Sequence, residues 1–283
     1  MKEQRTKAQR RDRMVLWRDS CLPDGLELLN ASCHEYSYPA HFHDEFVIAA
    51  FSSGAQRHQV SRWRGIATPG TVMIIPPGEV HTGEAAERNM GWEYCAFYPS
   101  NRFLNAIADE VLAGRGDLDF GSKILHEDAT LARHLQYANA VLAQSLDVLE
   151  RQSWVYATLA SVIERCGTRT TASSNAHVCR SCMKRAIDFL QAHHGEQVAL
   201  HDVAAVAGLS VYHFMRTFKA MTGLSTHSYL TQIRLQHAKN LLAKGVQAVE
   251  AAASVGLFDQ SHLNRLFRLH FGITPGQYAA GCR

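Results

Sequence analysis

The chain has 283 residues, 46% of them hydrophobic and 19% charged, with a formal net charge of +3. That length can bury two cores, and the composition excludes a disordered chain. No apolar run reaches the roughly 18 residues a membrane span needs, and the basic Met1–Arg13 stretch has no apolar segment behind it as a secretory leader requires, so a cytoplasmic protein without a membrane contact is expected.

Charge is unevenly spread along the chain. Residues 1–13 form a basic tail with six Lys/Arg against two Asp/Glu, residues 14–182 are mildly acidic, and residues 183–283 carry ten Lys/Arg against five Asp/Glu. A basic C-terminal part suggests an acidic partner, nucleic acid first among them.

From about residue 24 to 98 the chain predicts short strands: Leu26–Tyr36, Phe46–Phe51, Gln56–Arg64, Thr71–Ile75 and Trp92–Tyr98, punctuated by Ser53-Gly54, Pro69-Gly70 and Pro77-Gly78. Many short strands at close spacing point to a β-barrel or jelly roll. Within it, Gly70 to His81 fits Gly-x5-Pro-x-Gly-x-x-His and resembles the second cupin motif, while His41-Phe-His43 resembles the start of the first. On one strand His41, His43 and Glu45 would share a face, and with His81 they could form a site of three or four ligands. The cupin pattern expects a Glu four or five positions after the second His, where Val47 and Ile48 stand. The expectation is therefore a barrel mouth in which His41, His43, Glu45 and His81 bind an organic effector, with no metal and no cofactor; purely structural histidines are the plain alternative.

Helical spacing follows in Asn101–Ala113, Asp128–Leu142 and Asp147–Cys166, a segment expected to pack on the barrel and offer a dimer surface. Gly167–Ala176 is polar and small, and residues 167–182 read as a linker. It includes His177-Val-Cys179-Arg-Ser-Cys182, a CxxC that lacks the second ligand pair of a structural zinc site; the seven cysteines, an odd number, are expected to be reduced. No GxSxG and no phosphate-cradling glycine loop occurs, so no enzyme is expected.

The strongest signal is a duplication beyond residue 200. Ala204, Gly208, Leu209, His213, Arg216, Phe218 and Gly223 recur as Ala252, Gly256, Leu257, His262, Arg265, Phe267 and Gly272, with one extra residue, Phe258, in the second turn. Each copy predicts a short Ala-rich helix ended by Gly208 or Gly256, then an N-cap, Ser210 or Asp259, for a second helix. Phe214/Phe218 and Leu263/Phe267 give that helix a buried stripe, leaving Met215/Arg216 and Asn264/Arg265 outside it. A generic helical bundle would not need an outward Arg at the same place in both copies.

These residues carry a family resemblance. Leu200–Ala280 resembles the DNA-binding region of the AraC/XylS transcription regulators through GLSVYHFMRTFKAMTG, YLTQIRLQHAKNLL and GLFDQSHLNRLFRLHFGITPGQY, with departures at Leu257 and Ala279. The resemblance implies DNA contacts from Ser210, Tyr212, Met215, Arg216 and Lys219 in the first unit and from Gln260, Ser261, His262, Asn264, Arg265 and Arg268 in the second. Lys219 and Arg268 would meet phosphate or stay solvated, and Arg234 would meet phosphate or brace the two units. It also implies double-stranded DNA, a small-molecule effector and RNA polymerase as partners, in a homodimer.

The expected organisation is thus multidomain β + α: a basic tail (1–13), a cupin-like effector-sensing barrel (14–100), helices (101–166), a linker (167–182) and an all-α double helix-turn-helix domain (183–283). The competing reading is a metal-dependent cupin enzyme fused to a DNA-binding module. Substitution of His41, His43 or His81 is expected to spare DNA affinity, because these residues lie a whole domain from the recognition helices.

Overall fold

In a computed structural model the described residues are 12–87, 90–113, 116–170 and 177–282, without the side chains of residues 177–180 and 212. Nearly all of the basic tail, and the Cys179 thiol of the CxxC, lie outside them. The N-terminal part comprises β1 (Arg13–Asp19), β2 (Leu26–Cys33), β3 (Tyr38–His41), β4 (Val47–Gly54), β5 (Gln56–Val60), β6 (Trp63–Ala67), β7 (Thr71–Ile75), β8 (His81–Ala85), β9 (Trp92–Tyr98), α1 (Asn101–Val111), β10 (Asp117–Asp119), β11 (Leu125–Glu127), α2 (Ala129–Gln144), α3 (Val148–Cys166) and β12 (Thr168–Thr170). The C-terminal part is helical: α4 (His177–Ala192), α5 (Leu200–Ala207), α6 (Val211–Thr222), α7 (Thr226–Ala243), α8 (Ala248–Ser254), α9 (Gln260–Phe271) and α10 (Pro275–Gly281).

Two antiparallel sheets form the barrel, one of six strands in the order β1-β2-β9-β4-β7-β11 and one of four in the order β3-β8-β5-β6. Side chains alternate across a strand, and the larger sheet is apolar on both faces. Leu28, Ile48, Ile74 and Phe97 pack outward under α1, α2 and α3, while Leu29, Ala49, Met73 and Ala96 face the barrel interior. This double burial explains the near-continuous apolar runs of β4 and β7.

The run Gln56–Arg64 is two strands. Val60 pairs with Trp63 across a two-residue turn in which Ser61 takes φ 50°; the apolar and aromatic residues on both sides hid the turn. The expected linker is partly structured: Thr168–Thr170 pairs with Asp117–Asp119, and α4 begins at His177.

The cores do not follow the expected domain boundary. The first helix-turn-helix has its own cluster, Met183, Leu190, Val203, Phe214 and Phe218 among others. The second does not: Leu263, Phe267, Ile273 and Tyr278, with Leu235 and Leu242 of α7, belong to the same cluster as the barrel interior. Polar contacts cross the same boundary. Lys239 Nζ donates to Glu27 Oε2 at 2.5 Å, Tyr278 OH donates to Glu27 Oε1 at 2.8 Å, and Arg18 Nη1 donates to Asn240 Oδ1 at 3.1 Å.

Candidate nucleic-acid interface and barrel cavity

The duplicated units close as their local chemistry dictates. Gly208 and Gly256 adopt φ 73° and 72° at matched places, a conformation glycine takes without steric cost. Ser210 Oγ then accepts from His213 N at 3.4 Å, and Asp259 Oδ1 accepts from His262 N at 2.7 Å, capping α6 and α9. Phe214, Phe218, Leu263 and Phe267 are fully buried. On the outward faces Ser210, Met215, Arg216 and Lys219 are exposed, as are Gln260, Ser261, Arg265 and Arg268; His262 and Asn264 are half-buried, and the Tyr212 side chain lies outside the described residues. An arginine thus stands on the open face of both recognition helices.

Arg234 takes the bracing role. Its Nε donates to His194 O at 2.8 Å and its Nη2 to Glu196 O at 2.7 Å, so the guanidinium ties α7 to the turn after α4. That commits the Nε/Nη2 edge of the guanidinium to backbone carbonyls.

In the barrel, three of the four expected residues meet. His41 ends β3 and is the cross-strand partner of His81 at the start of β8. Residues 42–46 leave the strand, so His43 reaches the cavity from a loop whose carbonyl accepts from Gly78 N at 2.8 Å. The ring centroids of His41, His43 and His81 lie 4.2–5.3 Å apart. Glu45 is not among them: the strand geometry that would have aligned it is absent, and its carboxylate accepts from Gln236 of α7 at 3.4 Å.

Burial sets the protonation of this site. Loss of solvent holds His41 and His43 well below the usual imidazole range, with neighbouring imidazoles adding to the effect. It brings His81 and the neighbouring His58 down to about 4. His58 and Gln56 share the cavity, with His58 Nε2 and Gln56 Oε1 buried and unpartnered. Both were legible, since they alternate inward with Val60 on β5.

The cavity is small, about 30 Å³, with a second of about 20 Å³ beside it bounded by Lys239 and His270. An organic ligand of ordinary size needs roughly 300 Å³ or more, so the barrel would have to open from this arrangement to take one at these histidines. Larger hollows lie elsewhere: an open groove of about 710 Å³ along β1 and β9, and an apolar one of about 450 Å³ among α4, α6 and α7.

The DNA-binding part lies directly on this site, which corrects the expected separation. Gln232 of α7 accepts from Phe42 N at 2.9 Å through Oε1 and donates to Ala40 O at 3.0 Å through Nε2, clasping the backbone on both sides of His41. Phe42 stacks on Tyr229 at 4.7 Å. Gln232 and Lys239 were missed as site residues; the signal was two polar residues on the apolar stripe Leu235, Ala238, Leu242 of α7.

Comparison with known proteins places both halves. The family model for an AraC-like ligand binding domain matches residues 25–159, and that for a helix-turn-helix domain matches residues 203–281. The chain is 28% identical over 227 residues to the uncharacterized HTH-type transcriptional regulator YbfI of Bacillus subtilis, covering 80% of this chain and 81% of that protein. To the Msm operon regulatory protein of Streptococcus mutans it is 23% identical over 247 residues, 86% of this chain and 87% of that protein. In fold it is similar to wild-type ToxT from Vibrio cholerae, solved with an unsaturated fatty acid bound, with a TM-score of 0.55 at 12% identity, covering 100% of this chain and 98% of that chain.

Proposed function

The chain belongs to the AraC/XylS family of DNA-binding transcription regulators, and we propose that a ligand in its histidine-lined barrel cavity controls how its two recognition helices meet DNA. The observation that carries this reading is the clasp of Gln232 on the His41 segment. A ligand that shifts His41 or His43 must strain or break those two hydrogen bonds. Each is worth about 1 kcal/mol, and together they match the 1–3 kcal/mol typical of coupling between sites. Because α7 also joins the two helix-turn-helix units, a shift there changes their mutual arrangement.

In this reading Tyr212, Met215, Arg216, Gln260, Ser261, His262, Asn264 and Arg265 face bases, Ser210 supports them from its N-cap, and Lys219 and Arg268 hold phosphate. The protein acts in the cytoplasm on double-stranded DNA, with RNA polymerase as the machinery it influences, and as a regulator rather than a metal-dependent cupin enzyme. A homodimer is supported by the exposed apolar side chains of Tyr137, Leu146 and Leu149 on and between α2 and α3.

A double-mutant cycle tests the clasp without knowledge of the ligand. Affinity is measured for a duplex selected by the protein from a randomised pool, using the wild type, Gln232→Ala, His43→Ala and the double variant. A coupling energy of about 0.5–3 kcal/mol is expected for residues acting through one segment. Strict additivity would remove the proposed route from cavity to DNA.

A further inference from the structure

We propose that His41, His43 and His81 hold one divalent first-row transition-metal ion, and that this ion is the ligand the barrel senses; the second half rests on the regulatory reading above. Candidate ligand atoms of the three imidazoles lie within 4.8 Å of one another, and all three residues are buried. An ion at the usual metal–nitrogen distance of roughly 2.1 Å would need those atoms to close by about 1 Å, a movement within reach of ring rotation.

The rings are already oriented for this. His41 Nδ1 lies 2.7 Å from Pro39 O and His81 Nδ1 lies 2.9 Å from Glu79 O. A carbonyl oxygen can only accept, so in both rings Nδ1 carries the proton and Nε2 keeps a free lone pair. A backbone carbonyl behind the ring is the support that metal-bound histidines ordinarily have. Neither ring nitrogen of His43 has a hydrogen-bond partner among the described residues.

Size and donor type narrow the ligand. The cavity of about 30 Å³ matches an ion with a water. Three neutral nitrogens suit zinc, cobalt, nickel or copper, whereas calcium and magnesium favour oxygen donors. The neighbourhood supplies a reason for DNA binding to respond. Lys239 of α7 and His270 of α9 bound the adjoining cavity, and His270 Nδ1 is buried without a partner. Two added positive charges there act directly on the helix that joins the DNA-reading units and on the second recognition helix itself.

The test uses the full chain, stripped with a chelator and titrated with CoCl2 and with ZnCl2. Wild type should bind one equivalent of Co²⁺ with visible absorption bands from nitrogen ligation, displaced by Zn²⁺. His201→Ala, an exposed histidine away from the barrel, should keep that equivalent, and His43→Ala and His81→Ala should lose it. The wild-type titration stands whatever the folding of the variants: absence of a saturable equivalent, or its persistence in both cavity variants, overturns the site. In parallel, affinity for the selected duplex should differ between Zn²⁺-loaded and stripped protein by roughly 5- to 150-fold, a difference lost in His81→Ala. Stoichiometric metal with unchanged DNA affinity would leave the cation site standing and overturn its role as the sensed ligand. No metal, but altered DNA affinity in the cavity variants, would overturn the cation site and leave the regulatory reading intact.

Discussion

Arg216 and Arg265 occupy matched, exposed places on α6 and α9, each six residues beyond its N-cap. Arg216→Ala and Arg265→Ala should each weaken specific DNA binding by roughly 1–3 kcal/mol. Titration against selected and random duplexes decides the cause, and equal losses on both would assign the two side chains to phosphate. Lys239 is of a different kind. It is 1% exposed, paired with Glu27, and lies over the Phe271 ring at 4.7 Å. Lys239→Ala leaves the buried Glu27 carboxylate with only the Tyr278 hydroxyl and the more distant Arg18 guanidinium, so urea unfolding should show a loss of about 3 kcal/mol. His58 supplies the pH dependence. Its pKa in the folded, metal-free protein is about 4, below the roughly 6.5 of an unfolded histidine. Between those values the unfolded state binds the extra proton. The stability it contributes is therefore whole above pH about 6.5 and lost as pH falls toward 4. Urea midpoints at pH 7 and 4.5 should show this drop, and His58→Asn should reduce it.

At the scale of elements, the two helix-turn-helix copies are alike in sequence and unlike in support. α5 and α6 pack on α4 in a cluster of their own, whereas α8 and α9 share theirs with the barrel. Cooperative opening follows the packing unit rather than the repeat. Hydrogen exchange should therefore show α5 and α6 opening at a lower free energy than β4 and β9, and α8 and α9 protected together with those strands. Matching protection of the two repeats would contradict this division. α7 belongs to both units, which is why Gln232 and Lys239 are placed to carry a signal and Arg234 is spent on bracing.

For the whole molecule, the relation between recognition helices sets the DNA site. α7 has 18 residues and spans about 27 Å as a helix, near the roughly 34 Å between successive major grooves on one face of B-DNA. The monomer should read two non-identical half-sites about 10 base pairs apart in tandem. Inserting about 5 base pairs turns the second half-site to the opposite face and should abolish most specific affinity, while about 10 should restore part of it. Full binding to the shorter insertion would mean that one unit alone reads DNA.

The sequence by itself determined the parts whose causes are local. Glycine at the left-handed turn, an oxygen at the N-cap and an apolar residue every three or four positions act within one helical turn, so the duplicated units and their outward faces were legible. So were β7 and β9, and the histidine motifs whose members the barrel gathers. What lay beyond it depends on surfaces that meet far along the chain. Glu27 and Lys239 are 212 positions apart, and Gln232 clasps a loop 190 positions away. Burying a charge or an amide is favourable only when a partner is waiting, and no local pattern tells where that partner stands. The tertiary structure alone therefore decided that Glu45 leaves the histidine cluster, that Arg234 braces carbonyls, and that the histidine cavity lies against α7.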